Sequence, residues 1–264
     1  MNAMKNLNEF NFKNQPKIQY LLTDIDDTMT TDGVLPAISY ETLFKLKTAG
    51  IHVIPITGRP AGWCEMIARL WPVSGVVGEN GGFYFQYKNK KMHRWFYTDS
   101  KTISENKLKL KKIETEILNS VLGSAVSSDQ FCRLMDLAID FCEDVPALSK
   151  PDVQKIVSIF ENHGAIAKVS SIHVNGWFGN YNKVSTTLKF LENEFGLSEK
   201  QAIECCAFIG DSPNDEPMFQ KFPLAFGVAN LNHFSDQLKF KPAFIANKNS
   251  GEGFAEIVNK ILNL

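Results

Sequence analysis

Leu21-Leu22-Thr23-Asp24-Ile25-Asp26-Asp27-Thr28 closes an apolar run that begins at Ile18 and reads as a buried strand. Three carboxylates crowd the end of that run. Burying so much unpaired negative charge is prohibitive, so the cluster calls for a cation. Open α/β sheets carry their sites at the carboxyl ends of the strands, which is where these residues fall.

The flanking sequence supplies the sheet. Helical spacing from Pro36 to Ala49 (Ile38, Leu43, Phe44, Leu46) stops at Gly50, and Ile51 to Ile56 reads as a second buried strand. Thr57-Gly58-Arg59-Pro60 then opens a helix to about Leu70, and Ser74 to Val77 is a third short strand ending in Glu79-Asn80-Gly81-Gly82. Strands alternating with helices predict an α/β fold with a doubly wound parallel sheet. The rhythm breaks at Phe83 to Tyr87 and Met92 to Tyr97, which read as an antiparallel hairpin opening a second module. A helix from about Ile103 to Leu122, a strand at Leu134 to Phe141, a helix at Pro151 to His163 and extended segments at Ala165 to Val169 and Ile172 to Phe178 make that module α+β. Parallel alternation returns with a helix from Lys183 to Phe195, a strand at Ala207 to Ile209, strands near Leu224 to Val228 and Ala243 to Ile245, and a last helix from Gly253. The expected organisation is a polar, frayed N-terminal extension over 1–16, a core over 17–84 and 180–264, and an inserted cap over 85–179.

With 28 basic and 29 acidic residues among 264, the net charge of -1 gives no pull towards nucleic acid or anionic membrane, so small molecules are the expected partners. Cys64, Cys132, Cys142, Cys205 and Cys206 are scattered and odd in number, which fits reduced core residues in a cytoplasmic protein and not a zinc site. His52, His93, His163 and His233 have no metal-like spacing and read as structural or surface residues. The first 16 residues have no apolar signal core, and no stretch approaches the ~20 apolar residues of a membrane span. Oligomeric state is not encoded in any of these features.

Asp24 and Asp26 would share a face of a regular strand. One carboxylate can attack a phosphorus atom while the other supplies a proton to the leaving oxygen. The alternative is a solvated turn capped by Asp27 and Thr28. Asp211 and Asp215, on Gly210-Asp211-Ser212-Pro213-Asn214-Asp215 after another apolar strand, offer oxygen ligands that suit magnesium, although Asp215 could equally cap the following helix. The Thr57 hydroxyl and nearby amides could hold an anion, and Lys183 at the start of its helix could neutralise it. An N-cap threonine and a surface lysine are the plainer readings of those two.

These four segments together resemble the haloacid dehalogenase superfamily of phosphohydrolases. Asp24-Ile25-Asp26-Asp27-Thr28 matches its D-x-D-x-T motif, Thr57 in Ile56-Thr57-Gly58-Arg59 the second motif, Lys183 the third, and Gly210 to Asp215 the fourth, G-D-x-x-N-D. The resemblance implies that Asp24 is a nucleophile forming an aspartyl phosphate and Asp26 the acid that protonates the leaving group and then activates water. It also implies magnesium held by Asp24, the backbone carbonyl of Asp26 and Asp211, with Asp215 either a further ligand or a support behind them, and phosphate held by Thr57, Gly58, Arg59, Lys183, Asn80 and Asn214. The insert resembles the type IIB cap of the Cof-type and sugar-phosphate branch, and Glu79-Asn80-Gly81-Gly82 is similar to the E-N-G-[AG] turn of that branch. A magnesium-dependent phosphatase acting on a small phosphate ester, a sugar or polyol phosphate, is the expectation. A phosphomutase of the same superfamily and a phosphoaspartate signalling module are the alternatives.

In the insert, Ser170-Ser171-Ile172-His173-Val174-Asn175-Gly176-Trp177 is the most polar-aromatic strand. His173, Asn175 and Trp177 would share one face, with the indole placed to stack on a sugar. The competing reading is a solvent-facing sheet edge. Arg94 and Arg133 read as surface arginines, with anion contact the alternative.

Overall fold

The computed structural model describes residues 4–12, 17–170 and 172–264. The chain starts with a short strand β1 (Lys5–Asn6), then β2 (Tyr20–Thr23), α1 (Ala37–Thr48), β3 (His52–Pro55), α2 (Ala61–Leu70) and β4 (Val76–Gly78). β5 (Phe83–Lys88) and β6 (Lys91–Phe96) form the hairpin, followed by α3 (Ser100–Ser120), β7 (Ala125–Val126), β8 (Asp136–Asp140), α4 (Lys150–Asn162), β9 (Ile166–Val169) and β10 (His173–Trp177). The last part holds α5 (Lys183–Phe195), α6 (Glu199–Cys205), β11 (Cys206–Gly210), α7 (Glu216–Lys221), β12 (Ala225–Gly227), β13 (Phe244–Ile245) and α8 (Ser250–Leu262).

Six strands form a parallel sheet in the order β1-β13-β12-β11-β2-β3. β2 lies between β11 and β3, so every residue of Tyr20–Thr23 is buried, as its continuous apolar reading requires. Apolar clusters cover both faces. Leu21, Val53, Ile209 and Phe254 belong to one, and Leu22, Ile54, Phe208 and Phe190 to the other. An antiparallel four-stranded sheet, β7-β8-β10-β9, has its own core of residues such as Ile113, Ile117, Ile139, Phe160 and Val174. The doubly wound α/β core and a separate α+β layer are both present.

Two expectations are corrected. The N-terminal segment is not frayed over its described part: β1 pairs with β13 at the edge of the parallel sheet, and Leu7 and Phe10 are buried in the core. Its many Asn and Lys residues hid two apolar anchors; residues 1–3 and 13–16 lie outside the described residues. The hairpin does not open the second module. β5 pairs with β4, β4 touches the parallel sheet through an Ile56–Val77 bridge, and Phe83 and Phe85 join the core cluster of Leu21. The independent apolar centre draws its residues from Leu110 onward. Between α5 and β11 the structure adds helix α6, at whose start Ser198 and Gln201 form a reciprocal capping box.

The two layers meet at Glu79-Asn80-Gly81. Glu79 and Asn80 both have left-handed backbones (φ 43° and 56°), a costly state for glutamate and a tolerated one for asparagine. Gly81 (φ 108°) is required, because a Cβ there would lie 2.3 Å from the Asn182 carbonyl oxygen. The Glu79 carboxylate is buried and accepts the backbone N–H groups of Ala61, Leu134, Met135 and Asp136. Three of those donors lie at the entrance to β8, so one core side chain pins the second layer.

Candidate active site

The carboxyl ends of β2 and β11 lie side by side, in register from Tyr20–Cys206 to Thr23–Ile209. The Asp24 N–H continues that ladder by donating to the Ile209 carbonyl (2.9 Å). Asp24 and Asp211 thus leave adjacent strands at the same level, and both are buried. The fourth-motif turn brings Asp215 back beneath them, where its carboxylate accepts the Asp211 N–H (3.2 Å). One oxygen each from Asp24, Asp211 and Asp215 fall within 4.8 Å of one another.

Lys183 enters from the first turn of α5, which Asn182 caps. Its Nζ donates to Asp24 Oδ1 (2.6 Å) and Asp215 Oδ1 (2.8 Å), and it is buried, not a surface lysine. The two carboxylates raise the lysine's pKa against the opposing effect of burial, so it stays charged. Burial, opposed by Lys183, pushes the Asp24 carboxyl up to about 8, and burial with the Asp24 and Asp215 charges raises Asp211 well above the usual range. Three buried carboxylates against one ammonium leave negative charge uncompensated. A hard divalent cation fits that oxygen donor set.

Other residues hold the pocket in shape. Thr28 donates to Asp211 Oδ1 (3.1 Å), and Asn230 spans the Asp27 carbonyl (3.0 Å) and Asp211 Oδ2 (3.4 Å). Asp215 starts α7 but makes no capping hydrogen bond; its side chain serves Lys183 and Asp211. Thr57 likewise does not cap α2, whose N-cap is Pro60; its hydroxyl accepts the Arg59 N–H (3.0 Å) and its carbonyl accepts the Asn80 N–H (3.1 Å). Among the described residues the Asn80 Nδ2 is buried with no hydrogen-bond partner, and a Cβ on Gly58 would lie 3.3 Å from it. Ser212 donates to Asn214 Oδ1 (2.7 Å).

A cavity above the acidic cluster is lined from the core by Asp24, Asp26, Gly58, Arg59, Ser212 and Asn214, and from the second layer by Arg133, Ser170, Ile172, His173 and Asn175. Ser171 lies outside the described residues. Of the expected residues, two are moved. Arg59 does not face the acidic cluster as a free anion contact: its Nε donates to Asp26 Oδ1 (2.9 Å) and Oδ2 (3.1 Å). The Asp26 side chain accordingly stands outside the three-carboxylate cluster.

Trp177 is not a sugar-stacking platform. β10 is an interior strand between β8 and β9, buried along its whole length, and is therefore not a solvent-facing edge either. The indole stacks on Tyr181 (5.5 Å between centroids) inside the core cluster, one pleat repeat beyond the two residues that reach the cavity. Arg133 is also corrected. It is buried and spends its donors on Asp129, Asp136 and the Gly58 carbonyl (2.9 Å), clamping the second layer to the Thr57 loop. Arg94 is exposed and paired with Glu65. Sequence reading missed Glu79, Asn230, Asp129 and Asp136 as buried polar residues; an aspartate at each end of the apolar run Leu137-Ala138-Ile139 was the available signal for β8.

No curated protein sequence is significantly similar to the chain. Among solved structures, a Thermoplasma acidophilum protein superposes with a TM-score of 0.72 at 18% identity, over 94% of this chain and 100% of that one. The C-terminal domain of Candida albicans trehalose-6-phosphate phosphatase gives a TM-score of 0.72 at 14% identity over 99% of each chain. The sucrose-phosphatase of Synechocystis, solved with sucrose and phosphate, gives 0.63 at 15% identity over 94% of this chain and 98% of that one. At these identities the likeness is one of fold. A model of the haloacid dehalogenase-like hydrolases matches residues 21–258, which takes in both halves of the site and the layer above it. With that match and the geometry in agreement, the chain is an enzyme of the haloacid dehalogenase-like hydrolase family.

Proposed function

We propose that the chain is a magnesium-dependent phosphatase that hydrolyses a small phosphorylated sugar or polyol through an aspartyl phosphate on Asp24. The observation that carries the reading is the convergence of Asp24, Asp211 and Asp215 with Lys183 at the end of β2. Asp24, Asp211 and Asp215 would hold the magnesium with the Asp26 carbonyl. When bound, the ion neutralises the carboxylates and draws charge from a phosphoryl oxygen.

The Asp24 carboxylate attacks phosphorus as the bond to the leaving oxygen breaks, and Asp26 gives that oxygen its proton. Asp26, now ionised, takes a proton from water as the water oxygen bonds to phosphorus, which releases phosphate and restores Asp24. Lys183 holds the attacking oxygen in place, and Thr57, Gly58 and Asn80 form the anion-facing loop beside it. Roofing by the second layer excludes water during the first step. Ser170, His173 and Asn175 line the cavity from the second layer, polar surroundings that suit a hydroxyl-rich ester. The trehalose-6-phosphate and sucrose phosphatases among the structural neighbours make the same substrate class the first to try. Five free thiols suit a reducing compartment, the cytoplasm, and no helix among the described residues is long and apolar enough to cross a membrane.

The test is a phosphate-release screen over phosphorylated sugars, polyols and glycolytic acids with and without magnesium. Magnesium-dependent release that peaks on sugar or polyol esters and vanishes in Asp24→Asn is expected. Release that persists in that variant refutes the assigned nucleophile, and a stable phosphoaspartate without release refutes the hydrolase.

A further inference from the structure

Arg59 is the hub of a charge chain that leaves the core. Besides its bonds to Asp26, its guanidinium lies 3.4 Å from Glu143 Oε1 and 3.8 Å from Asp129 Oδ2, both carried by the second layer. Trp63 covers its face at 4.5 Å. Its backbone is pinned on both sides, the N–H to Thr57 Oγ1 and the carbonyl to the Glu79 N–H. Among the described residues, the Asp26 carboxylate takes its hydrogen bonds from Arg59 alone. Where Asp26 points is therefore set by where Arg59 is held.

Glu143 is built to hold it. The residue sits in the loop after β8, where the buried Asp140 carboxylate gathers the N–H groups of Cys142 (2.9 Å), Glu143 (2.8 Å) and Asp144 (2.8 Å) into one tight turn. That turn fixes the Glu143 backbone, and Glu143 lines a second cavity together with Asp26 and Arg59. The other Glu143 oxygen lies 2.8 Å from His173 Nε2, so the side chain is steadied from a second element. The neighbouring His173 and Arg59 hold the Glu143 carboxyl below its ordinary pKa, which keeps it charged opposite the arginine.

We propose that Glu143 is a positioning residue, carried by the second layer, that orients Asp26 for proton delivery by holding the outer side of Arg59. The inference rests on the reading of Asp26 as the acid. Nothing touches the reacting phosphorus through Glu143; its effect reaches the reaction only through Arg59. It makes the proton transfer conditional on the second layer being seated, because Asp26 and Arg59 belong to the core while Glu143 does not.

A misplaced acid slows esters in proportion to how much their leaving oxygen needs a proton. kcat/KM for a series running from p-nitrophenyl phosphate to simple alkyl phosphates separates that effect from general damage, because partial unfolding lowers every substrate by the same factor. Glu143→Gln keeps the size of the side chain and removes its charge. The expected result is a loss for alkyl phosphates at least about tenfold greater than for p-nitrophenyl phosphate, a difference of about 1.4 kcal/mol. Equal losses across the series, or none, overturn the role of Glu143 while leaving the phosphatase reading intact. Failure of the wild-type chain to release phosphate from any of these esters overturns the reading of the site and this inference with it.

Discussion

Replacing Glu79 by Gln tests how the two layers are joined. The carboxylate is fully buried and serves four backbone donors: Ala61 (2.9 Å), Leu134 (2.9 Å), Asp136 (3.2 Å) and Met135. A glutamine keeps one acceptor oxygen and turns its NH2 towards the other two donors. A buried donor left without an acceptor costs about 1–3 kcal/mol, so two of them cost about 2–6 kcal/mol. The middle of that range, about 4 kcal/mol, sets the expected effect. With about 2.1 cal/mol/K of unfolding entropy per residue over 264 residues, it lowers the melting temperature by about 7 °C. Scanning calorimetry on both proteins in metal-free buffer reads the shift. Amide exchange locates it, because protection at Leu134, Met135 and Asp136 should fall while that of Leu21 and Leu22 is kept. A melting temperature within about 1 °C of wild type, with unchanged exchange at those three amides, would refute the assignment of Glu79 as the pin.

Other outcomes follow from the same geometry. The Asp24 pKa of about 8 makes magnesium compete with a proton. A carboxyl raised in the folded state stabilises the metal-free protein most at low pH, and that contribution is lost as pH rises from the ordinary carboxylate range through about 8. The melting-temperature gain from millimolar magnesium should therefore grow between pH 6 and pH 8.5 by about several degrees; a gain independent of pH would count against it. Trp177→Ala should cost about 3–5 kcal/mol in urea unfolding and leave the ranking of substrates unchanged, since the indole is in the core. A changed ranking without a stability loss would return Trp177 to the cavity. Phe10→Ala should cost about 3–5 kcal/mol for a similar reason, whereas a dispensable extension would tolerate it.

The sequence by itself determined what short-range pattern can carry. Apolar runs located β2, β3, β11 and their neighbours to within a residue or two, because strands buried on both faces must be continuously apolar. The acidic turns after β2 and β11 were legible because strand ends in such sheets are where charge collects, and the matching of four ordered motifs tied Thr57 and Lys183 to them. Only the tertiary structure decided which charged residues are inside. Arg133, Asp129, Asp136 and Glu79 look like solvated surface in a sequence, since a charge is tolerated in the interior only when a partner neutralises it there. Those partners are remote: Glu79 serves amides 55 to 57 residues away, Arg133 reaches a carbonyl 75 residues away, and Asn230 supports a loop 203 residues away. The same holds for apolar anchors in polar surroundings, as with Leu7, Phe10 and Trp177. No local periodicity records contacts of that span, and they exist only once the sheet and its second layer have brought the segments together.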